Sequence, residues 1–133
     1  MSVDKPTILC VDDDELILNS LKIQIKQNLQ GACFVETALS AQDALEYLEE
    51  MAELGSRVII VISDWIMPGM KGDEFLMKVH SYYPDTVKIM LTGQVEPSAV
   101  ERSMKYAGLR QCIQKPWNCE ELMGLLKAEI EKR

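Results

Sequence analysis

Several polar residues directly follow apolar, strand-like segments, and their residue types could carry phosphoryl chemistry. Carboxylates that approach one another closely repel, which favours a divalent cation between them, and Mg²⁺ prefers hard oxygen ligands of this kind. One carboxylate could then attack a phosphoryl group, while a lysine and a hydroxyl bind the phosphoryl oxygens. The residues are Asp12, Asp13, Asp14 and Glu15 after the first segment, Asp64 after the third, Thr92 after the fourth and Lys115 after the fifth.

Five apolar segments that alternate with helical segments are predicted to position these residues. The predicted strands are Thr7–Val11, Cys33–Thr37, Arg57–Ser63, Val87–Leu91 and Gln111–Gln114. Predicted helices run from about Ile17 to Leu29, from the N-cap Ser40 to near Gly55, from Gly72 to before Pro84, from Pro97 to Gly108, and from Asn118 onward. This alternation predicts an α/β fold in which helices cover both faces of a five-stranded parallel sheet.

The strand order decides whether the polar residues meet. In open α/β sheets the ligand site lies beyond the carboxyl ends of the strands, where the strand order reverses. If the order is 2-1-3-4-5, the first and third strands are neighbours and their aspartates converge. Thr92 and Lys115 would then reach the same edge from the fourth and fifth strands.

Each polar group also has a purely structural explanation. An acidic run after a strand can form a solvated turn that opens a helix, where Asp and Glu complement the helix dipole. Asp64 could open a loop, Thr92 could act as a cap, and Lys115 before Pro116 carries no signal alone. Their joint position at the ends of four strands favours the chemical interpretation over these separate ones.

Composition narrows the class of protein further. The chain has 133 residues, 47% of them hydrophobic, and a formal net charge of −7, which predicts one globular domain over residues 1–133. An acidic chain is poorly suited to bind nucleic acid or an anionic membrane. No secretory signal or membrane-spanning apolar run is visible, so we expect a cytoplasmic protein. Cys10, Cys33, Cys112 and Cys119 show no C-x-x-C spacing, which favours reduced thiols.

Four motifs together resemble the receiver domains of two-component response regulators. The resemblance covers roughly Pro6 to Lys132 and implies a flavodoxin-like, doubly wound (βα)5 fold. The motifs are Val11-Asp12-Asp13, Ser63-Asp64-Trp65-Ile66-Met67-Pro68-Gly69-Met70-Lys71-Gly72, Leu91-Thr92-Gly93 and Lys115-Pro116-Trp117.

The resemblance implies a role for each site residue. Asp64 would accept a phosphoryl group from the phosphohistidine of a sensor histidine kinase or phosphotransfer protein. Mg²⁺, with Mn²⁺ as an alternative, would be held by Asp13, Asp64, the Ile66 backbone carbonyl and, mainly through water, Asp12. Thr92 would hydrogen-bond to the phosphoryl group and Lys115 would pair with it, and the Lys115–Pro116 bond is expected to be cis.

The chain departs from the family pattern at one switch position. Receiver domains usually carry Tyr or Phe three residues before the lysine, where this chain has Cys112, whose thiol cannot sweep out the volume of a ring. Ile66 and Gln94 occupy positions that tune dephosphorylation in the family. An output domain or protein partner is expected on the surface formed by the fourth helix, fifth strand and fifth helix.

The resemblance favours a phosphorylation-controlled switch that catalyses only its own phosphorylation and dephosphorylation, rather than an enzyme with an external substrate. One alternative is a magnesium-dependent aspartyl phosphatase, but such enzymes need an acid two residues after the nucleophile, where this chain has Ile66. A second alternative is a receiver-like module that has lost phosphorylation. Cys112 favours that alternative, whereas the intact aspartates, Thr92 and Lys115 argue against it.

Two conspicuous side chains are assigned structural roles. His80 is the single histidine, and nothing near it in the sequence completes a catalytic site. Trp117 could contact a partner, but packing at the start of the last helix is the simpler interpretation.

Overall fold

The computed structural model describes residues 5–64, 66–67, 69–93, 101 and 109–132. Strands and helices alternate along the chain, as the sequence predicts. In chain order the elements are β1 (Thr7–Val11), α1 (Glu15–Leu29), β2 (Phe34–Ala38), α2 (Ala41–Glu53), β3 (Val58–Asp64), β4 (Ile66–Met67), β5 (Met70–Lys71), α3 (Gly72–Tyr82), β6 (Val87–Thr92), β7 (Leu109–Gln114) and α4 (Cys119–Glu131).

Five parallel strands form the central sheet in the order β2-β1-β3-β6-β7. Taken alone, these strands run in the predicted order. The numbering differs because a two-stranded antiparallel ribbon of β4 and β5, which sequence analysis did not anticipate, intervenes. The register pairs Val11 with Ser63 and Asp64 with Leu91, so the carboxyl ends of β1, β3 and β6 lie together.

Apolar residues cover both faces of the sheet. Alternate residues of β1 point to opposite sides, so that Ile8 packs with α1 and α4 whereas Leu9 packs with α2 and α3. This arrangement confirms the predicted helices on both faces, and it buries the central strands almost completely. None of the described helices is long and apolar enough to cross a bilayer.

Side-chain caps begin three of the helices. Asp14 Oδ1 accepts a hydrogen bond from Leu16 N at 2.9 Å at the start of α1. The predicted caps of α2 and α4 are both confirmed: Ser40 Oγ accepts from Asp43 N at 3.1 Å, and Asn118 Oδ1 accepts from Glu121 N at 2.9 Å. These bonds satisfy backbone N–H groups that have no partner inside the helix.

The described element boundaries agree with the prediction to within about two residues. Two elements begin two residues earlier than predicted: α1 begins at Glu15 rather than near Ile17, and β7 begins at Leu109 rather than Gln111, where Leu109 pairs with Lys88 before an irregularity in the register. The predicted fourth helix, from Pro97 to Gly108, lies outside the described residues except at residue 101.

Candidate functional site

Three carboxylates converge at the carboxyl edge of the sheet. Asp12 and Asp13 follow β1 and Asp64 ends β3, and one carboxylate oxygen from each lies within 4.8 Å of the other two. Oxygens on opposite sides of a Mg²⁺ ion are separated by about 4.2 Å, since each Mg–O bond is about 2.1 Å. The spacing and the hard oxygen donors therefore fit a divalent cation after small side-chain movements.

Asp12 is the most restrained of the three. Its side chain is buried, and its Oδ1 accepts a hydrogen bond from Asp14 N at 2.9 Å. Its backbone N donates to the Ala38 carbonyl at 3.2 Å, which ties the end of β1 to β2. Asp13 is exposed, so this aspartate can adjust its position toward a ligand.

Lys115 joins two of the carboxylates. Its Nζ lies 3.0 Å from Asp12 Oδ2 and 3.3 Å from Asp64 Oδ1. The backbone N of Lys115 donates to the Thr92 carbonyl at 2.8 Å, which extends the β6–β7 pairing to the residue after β7. The Lys115–Pro116 peptide bond is cis, as expected from the resemblance.

Burial and neighbouring charges have opposite effects on the pKa values of Lys115 and Asp12. Burial lowers the pKa of Lys115, but the hydrogen bonds and charges of Asp12 and Asp64 outweigh that effect and hold the pKa above its usual value. Burial is also the largest influence on Asp12, and it raises the pKa of this carboxyl although Lys115 and the Asp14 backbone N–H favour the ionised form. The lysine thus only partly compensates the buried negative charge.

Thr92 reaches the same edge through the strand register. It is the last residue of β6 and is buried, and the preceding Leu91 pairs with Asp64 on β3. On its other side Thr92 pairs with Gln114, the residue before Lys115. The register therefore brings Thr92 and Lys115 to the edge that carries Asp64.

The remaining predicted site residues lie in different settings. Ile66 is the first residue of β4 and stands two residues after Asp64 in the chain. The Ile66 side chain and Gln94 lie outside the described residues. Cys112 is half-buried on β7, paired with Met90 and packed against the core beneath α2 and α3, where burial raises the pKa of its thiol.

Sequence reasoning missed one contact that anchors this edge. Trp117, two residues after Lys115, is partly buried against the core, and its Nε1 donates a hydrogen bond to Gln24 Oε1 on α1 at 2.9 Å. The packing role predicted for Trp117 is confirmed. The partner could not be predicted, because 93 residues separate Trp117 from Gln24 and neither residue type indicates the other.

Comparison with known proteins decides the family, because the response regulator receiver domain profile matches residues 8–127. The chain belongs to this family. The receiver domain is 29% identical to the hydrogenase transcriptional regulatory protein HoxA of Cupriavidus necator over 98% of its length, but it covers 25% of HoxA. It thus spans about a quarter of that curated relative.

Solved receiver structures have the same fold. A CheY-like response regulator receiver protein from Methanospirillum hungatei is 31% identical and superposes with a TM-score of 0.83, over 96% of this chain and 94% of that one. The beryllofluoride-activated DrrB receiver domain is 27% identical with a TM-score of 0.75, over 94% and 97% of the two chains. These similarities confirm the flavodoxin-like fold.

Family membership establishes the general function. Receiver domains are signalling proteins of two-component systems, controlled by phosphorylation, and they act with histidine kinases and output domains. The family typically binds a divalent metal, and this receiver has the acidic cluster that such an ion requires.

Proposed function

We propose that Asp64 is the phosphoacceptor and that it receives its phosphoryl group from the phosphohistidine of a sensor histidine kinase or phosphotransfer protein. The observation that carries this proposal is Lys115 Nζ, 3.0 Å from Asp12 Oδ2 and 3.3 Å from Asp64 Oδ1. A cation held between a buried acid and a more accessible acid can pair with new negative charge on the accessible one.

The transfer uses groups that already lie at the sheet edge. An Asp64 carboxylate oxygen attacks phosphorus, the P–N bond to the donor imidazole breaks, and an acyl phosphate forms on Asp64. Lys115 and the Thr92 hydroxyl then bind phosphoryl oxygens. Asp64 is a better candidate nucleophile than Asp12, because its side chain is 12% exposed whereas that of Asp12 is 3% exposed.

Mg²⁺, or Mn²⁺ in its place, would be held by Asp13, Asp64, the Ile66 backbone carbonyl and, through water, Asp12. When bound, the ion supplies positive charge that offsets repulsion between the acids and the incoming phosphoryl group. Asp13 suits direct ligation because it is exposed, whereas both oxygens of Asp12 already accept hydrogen bonds. Catalysis is limited in this proposal to the receiver's own phosphorylation and dephosphorylation, the latter tuned by Ile66 and Gln94.

We propose that an output domain or a protein partner contacts a surface that includes β7 and α4 together with the predicted fourth helix, which lies outside the described residues except at residue 101. Cys112 replaces the usual aromatic residue on β7, so signalling does not depend on a ring changing its position. Movement of Thr92 and of the residues that follow it takes that role. We further propose that residues 1–133 form one cytoplasmic domain that binds no nucleic acid directly.

Binding of a phosphoryl mimic tests the acceptor. We expect calorimetric titration with beryllofluoride in the presence of Mg²⁺ to give one binding site per chain, and none without Mg²⁺. Asp64→Asn, which keeps the shape of the side chain, should abolish this binding.

Asp43→Asn is the matched control, because Asp43 is an exposed aspartate in the first turn of α2 and should leave binding unchanged. Equal binding by Asp64→Asn and the wild type, with both variants folded by circular dichroism, would refute the proposal.

A further inference from the structure

A cavity of about 540 Å³ opens between α1 and the beginning of β2. Its floor is apolar, and it includes Ile25 and Leu29 of α1. Its rim carries three lysines, Lys5, Lys22 and Lys26, and we call it the lysine cavity. The volume lies in the range of about 300–1,000 Å³ that is typical of small-molecule sites.

The charge of the lysine cavity is opposite to that of the whole chain. The chain has a formal net charge of −7, whereas this rim has three lysines and one acid, Glu36. In the part of the chain that the structure describes, no carboxylate forms an ion pair with Lys22 or Lys26. Their positive charges are therefore available to a ligand.

No acidic residue of α1 is placed to compensate the charges of Lys22 and Lys26. Lys22 and Lys26 are four residues apart on α1, where like charges repel, and no acid stands three or four positions from either one. Lys26 is in the last turn and complements the helix dipole, but Lys22 is in the middle of α1. Lys22 is half-buried, whereas Lys26 is exposed.

An aromatic side chain stands beside the lysines. Phe34, the first residue of β2, is 48% exposed, and Lys5 Nζ lies 4.4 Å from its ring centroid. The exposed ring and the apolar floor can contact a flat apolar group, while the lysines contact an attached anionic group. Glu36 disfavours a second anionic group on its side of the cavity.

We infer that the lysine cavity binds an aromatic organic anion, with its ring against Phe34 and the apolar floor and its anionic group between Lys22 and Lys26. The site lies at the amino-terminal end of β2, whereas Asp64 lies at the carboxyl end of β3. Ligand binding here does not require phosphorylation, so this inference stands independently of the proposed function.

Titration with 8-anilinonaphthalene-1-sulfonate, an aromatic anion, tests the inference on the full chain. We expect saturable binding of one equivalent that weakens as the salt concentration rises. Lys22→Gln/Lys26→Gln removes both charges but keeps most of the side-chain length, and it should weaken binding at least about tenfold. Amide NMR shifts should change at Leu29 and Val35, which line the cavity.

Lys78→Gln/Lys127→Gln is the matched control, because it removes two exposed lysines from α3 and α4. This control, and also Asp64→Asn, should bind the probe as the wild type does. Binding that is absent from the wild type, unsaturable, or equal in the two double variants would overturn the inference. Thermal unfolding of each variant establishes that a loss of binding does not reflect a loss of structure.

Discussion

At the scale of single residues, the site depends on the ion pairs that Lys115 forms with two carboxylates. The lysine contacts both Asp12 and Asp64, so a divalent cation bound by the acidic cluster would compete with the ammonium group for these carboxylates. A phosphoryl group on Asp64 would instead attract the lysine. Under the proposed function, Lys115 would therefore oppose the metal before phosphorylation and stabilise the phosphoryl group afterwards.

Replacing Lys115 should separate these two effects. In Lys115→Met we expect Mg²⁺ to bind roughly five- to tenfold more tightly, because a competing positive charge is removed from the acidic cluster. Beryllofluoride should bind at least about tenfold more weakly, because the pairing cation is lost. Calorimetry measures both affinities, and a change in the same direction for the two ligands would contradict this role.

A second lysine is buried far from the site. Lys88, on β6, is fully buried, and its Nζ donates to the Thr86 carbonyl at 2.9 Å and lies 3.1 Å from His80 Nδ1. Burial lowers the pKa of Lys88 to about 8, although the charge of Asp85 opposes this change. The contact between His80 Nδ1 and Lys88 Nζ agrees with the structural role that the sequence predicts for His80.

The lowered pKa of Lys88 predicts a specific dependence of stability on pH. Below about pH 8 the lysine is charged in both the folded and the unfolded chain, so the cost of burying its charge is fully present. Between pH 8 and the unfolded value of 10.5 only the unfolded chain keeps the proton, so this lysine's contribution to stability rises with pH.

Lys88→Met removes the pH-dependent contribution of Lys88 to stability and leaves the other titrating groups in place. We expect the free energy of unfolding of the wild type, minus that of Lys88→Met, to increase by about 3 kcal/mol from pH 8 to 10.5. Urea unfolding at several pH values measures the difference. A difference that is constant with pH would show that the pKa of Lys88 is not lowered in the folded chain.

At the scale of elements, the neighbouring acids in the turn between β1 and α1 differ in burial and in their contacts. Asp14 caps α1 through Leu16 N, Asp12 is fixed in the interior, and the exposed Asp13 can turn toward a metal. Asp14 thus fits the structural interpretation of the acidic run, whereas Asp12 and Asp13 belong to the acidic cluster with Asp64.

Two substitutions in this turn should have separate consequences. Asp14→Ala should lower the free energy of unfolding by about 1 kcal/mol, because α1 loses its side-chain cap. Asp13→Asn should leave stability nearly unchanged but weaken Mg²⁺ binding at least about tenfold, because a charged ligand is lost. Chemical unfolding and Mg²⁺ titration of both variants distinguish these effects. Weakened Mg²⁺ binding in Asp14→Ala, or a clear loss of stability in Asp13→Asn, would contradict the assignment.

The sequence predicts elements well where one local cause dominates. Apolar runs locate the sheet strands, and Ser40 and Asn118 locate two helix starts, because a side-chain cap is a local interaction. The start of β7 depends instead on distant partners. Leu109 pairs with Lys88 across a register irregularity, and Arg110 forms an ion pair with the buried Glu129 at 3.3 Å.

At the scale of the whole molecule, the parallel sheet assembles a site from residues that are distant in sequence. Asp12 and Lys115 form an ion pair although 103 residues separate them. The sequence predicts that these residues reach one edge, because the carboxyl ends of parallel strands coincide. It does not predict which carboxylates the lysine contacts, since that depends on side-chain geometry and burial.

Chemical trapping of the phosphorylated residue tests the central claim most directly. The protein is incubated with Mg²⁺ and a small acyl phosphate donor, reduced with borohydride, digested and sequenced by mass spectrometry. Borohydride reduces an aspartyl phosphate to homoserine, so we expect homoserine in place of Asp64 and unchanged aspartate at positions 12 and 13. Homoserine at position 12 or 13, or unmodified Asp64 in a chain that has incorporated phosphate, would contradict it.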